Sequence, residues 1–125
     1  MPAYENTQPP TALYPGTASL VWKNESPITG ATSERVAISA PQEGQLSFLR
    51  LEIQFSAFPG AFEIDIQTSD TDQDQFYTTE LGTSIIGVNT GNVASYMLTF
   101  LARFVRLIMT TAPANAVNVT AKISR

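Results

Sequence analysis

Leu49-Arg50-Leu51-Glu52-Ile53-Gln54-Phe55-Ser56 alternates apolar and polar residues without a break. After Phe58-Pro59-Gly60-Ala61 the alternation resumes as Phe62-Glu63-Ile64-Asp65-Ile66-Gln67. A period of two places Leu49, Leu51, Ile53 and Phe55 on one face of an extended strand and the polar residues on the other. Such a strand is stable only when its apolar face lies on a core, so these two runs read as half-buried strands. The Pro-Gly turn between them predicts a central hairpin. Just upstream the parity changes, because Leu46 and Phe48 fall on the polar side. That predicts a bulge or a change of sheet near Phe48 and Leu49.

Strand-like runs continue outward on both sides. Ala18 to Lys23 and Arg35 to Ser39 precede the central pair; Phe76 to Thr79, Thr83 to Val88, Val93 to Leu101 and Ala102 to Thr111 follow it. Gly82 and Gly87 break the short runs, and Asn89-Thr90-Gly91-Asn92 is a turn signal. At the end of the chain Val117, Val119, Ala121 and Ile123 alternate with Asn118, Thr120, Lys122 and Ser124. About eight strands with turns every 8 to 12 residues predict an all-β antiparallel sandwich, jelly-roll-like, as a single domain over residues 17–125. Val93 to Met109 also satisfies a helical period, and Ala94 to Ala102 has room for a helical turn. Its β-branched and aromatic content favours strands.

Residues 1–16 carry Pro2, Pro9, Pro10, Pro15 and Gly16, which exclude helix and favour an extended arm. Its apolar and aromatic residues need something to pack on, either the chain's own sheet or another subunit. Tyr4, Pro9, Pro10, Leu13 and Tyr14 are therefore the candidate partner contacts.

The 125 residues contain no His and no Cys, which removes the commonest general base and the commonest nucleophile and metal ligands. Chemistry by an enzyme is not expected, and neither is a cofactor. The formal net charge of −4 argues against a surface that neutralises phosphates, so nucleic acid is not an expected partner. Charged residues make up 14% of the chain, well under the roughly 25% of an average globular protein. The surface must then be built from Thr, Ser, Asn and Gln. The N-terminus lacks the basic and apolar regions of a signal peptide, and no window is long and apolar enough to span a membrane. Asn24-Glu25-Ser26 and Asn118-Val119-Thr120 are chance sequons on that reading.

Three weaker patterns bear on chemistry. Asp70, Asp72 and Asp74 alternate in a loop as calcium ligands can, but Gln75 and Leu81 stand where an EF-hand needs Gly and Glu, so a solvated acidic turn is the better reading and no metal site is expected. Glu52, Glu63 and Asp65 are acidic enough for a glycosidase pair, yet their outward parity makes them ordinary cross-strand partners. Trp22, Tyr14, Tyr77 and Tyr96 could stack on sugar rings. Burial is the commoner fate of such residues, and Tyr77 beside the acidic loop is the one retained as a contact.

Leu101-Ala102-Arg103-Phe104-Val105-Arg106-Leu107 resembles the late strand of discoidin-like, galactose-binding-like sandwiches, and Phe62 to Asp70 resembles their earlier strand running into a polar loop. That resemblance implies a carbohydrate-binding module. Taken whole, the Thr/Ala/Asn-rich strands, the missing Cys and His, the Pro-rich start and the terminal strand resemble the head decoration or cement proteins of tailed bacteriophages. This second resemblance implies a virion structural protein, made in the host cytoplasm and carried on the capsid surface. It would bridge subunits of the major capsid protein as a homodimer or homotrimer, and it assigns no site residue.

Overall fold

The computed structural model describes residues 9–38, 47–80, 85–87, 93–100 and 103–125. Tyr4 lies outside them, as do Leu46 and Leu101. Among the described residues ten strands form: β1 (Thr11–Leu13), β2 (Ala18–Glu25), β3 (Val36–Ile38), β4 (Ser47–Phe55), β5 (Phe62–Ser69), β6 (Thr78–Thr79), β7 (Ile85–Gly87), β8 (Val93–Phe100), β9 (Phe104–Thr111) and β10 (Val119–Ser124). Among the described residues the one helical element is a 3-10 turn at Asp74–Phe76, and the segment with a competing helical period is strand from Val93 to Phe100.

Two sheets face each other. One runs β2-β10-β4-β8; the other runs β1-β3-β9-β5-β6, with β7 also on β5. β6 and β7 both pair antiparallel with β5, at Gln67 and Thr68 and at Phe62 to Ile64, and so act as one interrupted strand along it. Counted that way, β2 to β10 give eight strands in the order first-eighth-third-sixth and second-seventh-fourth-fifth. That is a jelly roll. The fold class expected from the alternation is the one observed, with β1 added parallel to β3 at one edge.

The central hairpin does not form. β4 and β5 lie in different sheets, and residues 56–61 cross between them. Each strand has one apolar face, and two such faces bury more when they oppose each other across a core than when they lie side by side. Leu49, Leu51, Ile53 and Phe55 meet Ile64 and Ile66 in the shared core, and the Phe55 and Phe62 rings sit 4.7 Å apart at the crossover. Nor is there a bulge near Leu49: the β4–β8 register runs unbroken from Ser47 opposite Phe100 to Gln54 opposite Val93.

The irregularities lie in β2 instead. Against β10, Val21 is an extra residue between Leu20 and Trp22, and a second shift falls between Trp22 and Glu25, where Asn24 takes a positive φ of 55°. Because of the first bulge, two consecutive residues, Val21 and Trp22, both turn into the core. Residues 9–16 lie along the chain's own sheet. Leu13 is buried in the core, and the turn after it is held by Gly16 N–H donating to Arg125 O, Arg125 N–H donating to Thr17 O, and Arg125 Nη1 donating to Leu13 O.

Candidate functional site

The residues singled out by sequence scatter. Pro9 and Tyr14 are exposed and Pro10 is half-buried, while Leu13 is core and has no face for a partner. Trp22 is buried, which removes it as a sugar platform. Glu52 sits outward between Arg50 (3.4 Å) and Lys122 (3.7 Å), beside a shallow depression of about 160 Å³ lined by Leu20, Ile53, Gln54 and Thr120 as well. Among the described residues no aromatic ring lines it. Glu63 and Asp65 are half-buried on the outer face of β5, in a different sheet from Glu52.

What the fold does bring together is the acidic loop and two arginines from distant strands. Arg106 projects from the outer face of β9 and is covered by the loop. Its Nε donates to Gln67 Oε1 on β5 (2.8 Å), its Nη1 donates to Asp74 Oδ1 (2.7 Å), and its guanidinium lies 4.1 Å from the centroid of the Tyr77 ring. Tyr77 in turn donates its hydroxyl to Asp72 Oδ1 (2.8 Å), which is paired with Arg35 Nε at 2.9 Å. Burial pushes the Tyr77 phenol well above its ordinary value, and donation to the Asp72 carboxylate pushes the same way. Asp72 and Asp74 thus spend their charge on arginines. Among the described residues no group of three acidic side chains gathers to hold a metal ion, and the loop reads as a charge-locked turn.

The other end of the sandwich is opposite in character. There β2 ends at Glu25, β4 at Phe55 and β9 at Thr111, with β5 and β10 beginning beside them. Loops 26–33, 56–61 and 112–118 occupy this end, and none of them contains a charged residue, the exposed Glu25 that ends β2 being the charge beside them. They are bound into one unit. Asn115 N–H donates to Pro59 O and its Nδ2 to Phe58 O; Ala114 N–H donates to Ala61 O; Ser56 and Asn118 exchange two bonds; Ala112 N–H donates to Thr29 Oγ1. Gly60 allows the close approach, with a φ of +72° and room for a Cβ only 3.1 Å from Ala114 Cβ. From this frame Ile28 stands 62% exposed and Phe58 44% exposed.

Comparison of the sequence with protein-family models finds no match. Comparison with the curated proteins finds none either. Among solved structures, the chain is similar to the pre-peptidase C-terminal domain of a collagenase from Bacillus anthracis, at 12% identity and a TM-score of 0.48, over 95% of this chain and 98% of that one.

The end with the uncharged loops was missed by a search for chemistry-bearing residues, although its signal was present. From Leu107 to Ala121 there is no charged residue, and the same holds for 26–33 and 56–62. Reading the gaps in charge, and not only the charges, would have found it. The Arg106–Asp74 and Arg35–Asp72 pairs had no such signal, since they are 32 and 37 positions apart.

Proposed function

We propose that this chain is a non-catalytic assembly module, a virion structural protein that seats on a phage capsid through the end of its sandwich whose loops carry no charged residue. The observation that carries the reading is the separation of the two ends. The ionic groups of the acidic loop are consumed internally, while the opposite end offers small polar residues, prolines and two exposed apolar side chains on a hydrogen-bonded frame. A docking surface with few charges avoids the desolvation cost of unpaired ions, and repetition on a lattice turns modest contacts into tight retention. The jelly roll is common to viral shell proteins and lectins, which supports the reading by analogy alone. Between those two, the burial of Trp22 and the lack of an aromatic in the depression on the four-stranded sheet favour assembly over sugar binding.

The test is density-gradient sedimentation of a lysate of the producing cells, with this chain quantified against the major protein of any particle peak. Co-migration near the copy number of the shell protein is expected. Ile28→Asp with Phe58→Asp should release the chain from particles, whereas Phe76→Asp, an exposed residue of the acidic loop, should not. Recovery of the wild-type chain only in soluble fractions would overturn the reading. Truncation needs care: removing residues 1–16 would strip β1 and empty the place of Leu13, so the whole arm cannot be deleted with the fold left intact.

A further inference from the structure

A sheet edge is a row of unpaired N–H and C=O groups, and stable proteins blunt it with short strands, proline, charge or bulges. Three of the four edges here are treated in that way. β1 is three residues long and follows Pro9-Pro10. β2 carries two register shifts, a positive φ at Asn24, and the charges of Lys23 and Glu25. The edge beside β5 is broken into the two residues of β6 and the three of β7.

β8 has none of these devices. Val93-Ala94-Ser95-Tyr96-Met97-Leu98-Thr99-Phe100 is eight residues long without charge, Pro or Gly, and it runs in unbroken register with β4. Among the described residues β4 is its hydrogen-bonded neighbour, so its other side is the edge of the sheet. Met97 stands 71% exposed on it, more than any other large apolar side chain described. A regular, uncharged edge is complementary to a strand of the same kind, and the copy present at equal concentration is the chain itself.

We infer that two copies pair through β8, antiparallel about a two-fold axis, and join their four-stranded sheets into one of eight strands. The antiparallel arrangement is isologous: each β8 sees the other in the same register, and the interface closes at two copies. Pairing along the full strand would supply on the order of eight backbone hydrogen bonds. This inference concerns self-association and stands apart from any particle.

Sedimentation equilibrium of the full chain from a few micromolar to a few hundred should give a mass moving toward twice the 13.6 kDa of one chain. Hydrogen exchange read by mass spectrometry should show protection that rises with concentration across 93–100. Met97→Lys, which puts like charges near the axis beside Arg50, should raise the dimer dissociation constant at least tenfold with an unchanged circular dichroism spectrum. A mass of 13.6 kDa at every concentration would overturn the inference. So would a dimer whose added protection lies outside β8.

Discussion

Replacing Arg106 by Met tests whether the acidic loop is a structural lock. The substitution keeps most of the aliphatic stem and deletes the guanidinium, so the cost comes from three unequal contacts. Asp74 is 72% exposed while Arg106 is 8% exposed, so the freed carboxylate rehydrates, and the pair is worth no more than about 1 kcal/mol. The bond from Nε to Gln67 has a charged donor under cover, about 1.5–3 kcal/mol, and the stack on Tyr77 adds about 1–2 kcal/mol because it is shielded from water. Against these stands the relief of no longer burying a cation, on the order of a few kcal/mol. The net expectation is a loss of about 2 kcal/mol, a drop in Tm of roughly 6–8 °C for a domain of this size. Urea unfolding followed by the fluorescence of Trp22, the single tryptophan and a core residue, measures it directly. Asp74→Asn alone should cost under about 1 kcal/mol, and the double mutant should show little coupling beyond that. An Arg106→Met protein as stable as wild type would refute the argument.

Two further outcomes follow from the same structure. The raised Tyr77 phenol stays protonated when folded but ionises near pH 10 once unfolded, so its contribution to stability is complete below pH 10 and is lost as pH rises beyond it. Tyr77→Phe should flatten that alkaline loss in unfolding curves, and difference spectra of wild type against Tyr77→Phe should show the Tyr77 phenol ionising above its ordinary range in the folded protein. Gly60→Ala should destabilise more than Gly16→Ala: both positions have positive φ, about 1–2 kcal/mol for an L residue, but only at Gly60 does the new methyl meet a neighbour, at 3.1 Å from Ala114 Cβ. Equal losses in Tm for the two variants would show that Ala114 yields freely.

The alternation in β4, β5 and β10 was enough to read the fold class, because a period of two in a strand depends only on nearest neighbours in the chain. Partnership does not. Nothing local to Leu49–Phe55 and Phe62–Gln67 distinguishes a hairpin from a crossover, since both bury the same residues; the choice is made by β10, which pairs with β4, and by β9, which pairs with β5. The paired inward residues Val21 and Trp22 were illegible for a related reason. Their bulge is defined by register against β10, about a hundred positions away. Leu13 was read as a contact because its neighbours are prolines, whereas its burial depends on β3 and on Arg125 at the far end of the chain.

The same distinction explains why the acidic loop reads locally as a solvated turn whereas the structure pairs two of its aspartates with arginines. Alternate aspartates are a local pattern, and a local pattern can only report that oxygens are gathered, never which cation answers them. Here the cations arrive from β9 and from the residue just before β3, two places far from the loop in sequence. Arg106 lies between Val105 and Leu107, both fully buried, so the backbone position that presents the guanidinium is fixed by the core itself. A loop held in that way has little freedom left to rearrange around a metal ion, and for that reason the docking proposal rests on the opposite end, where loops 26–33, 56–61 and 112–118 carry no charged residue.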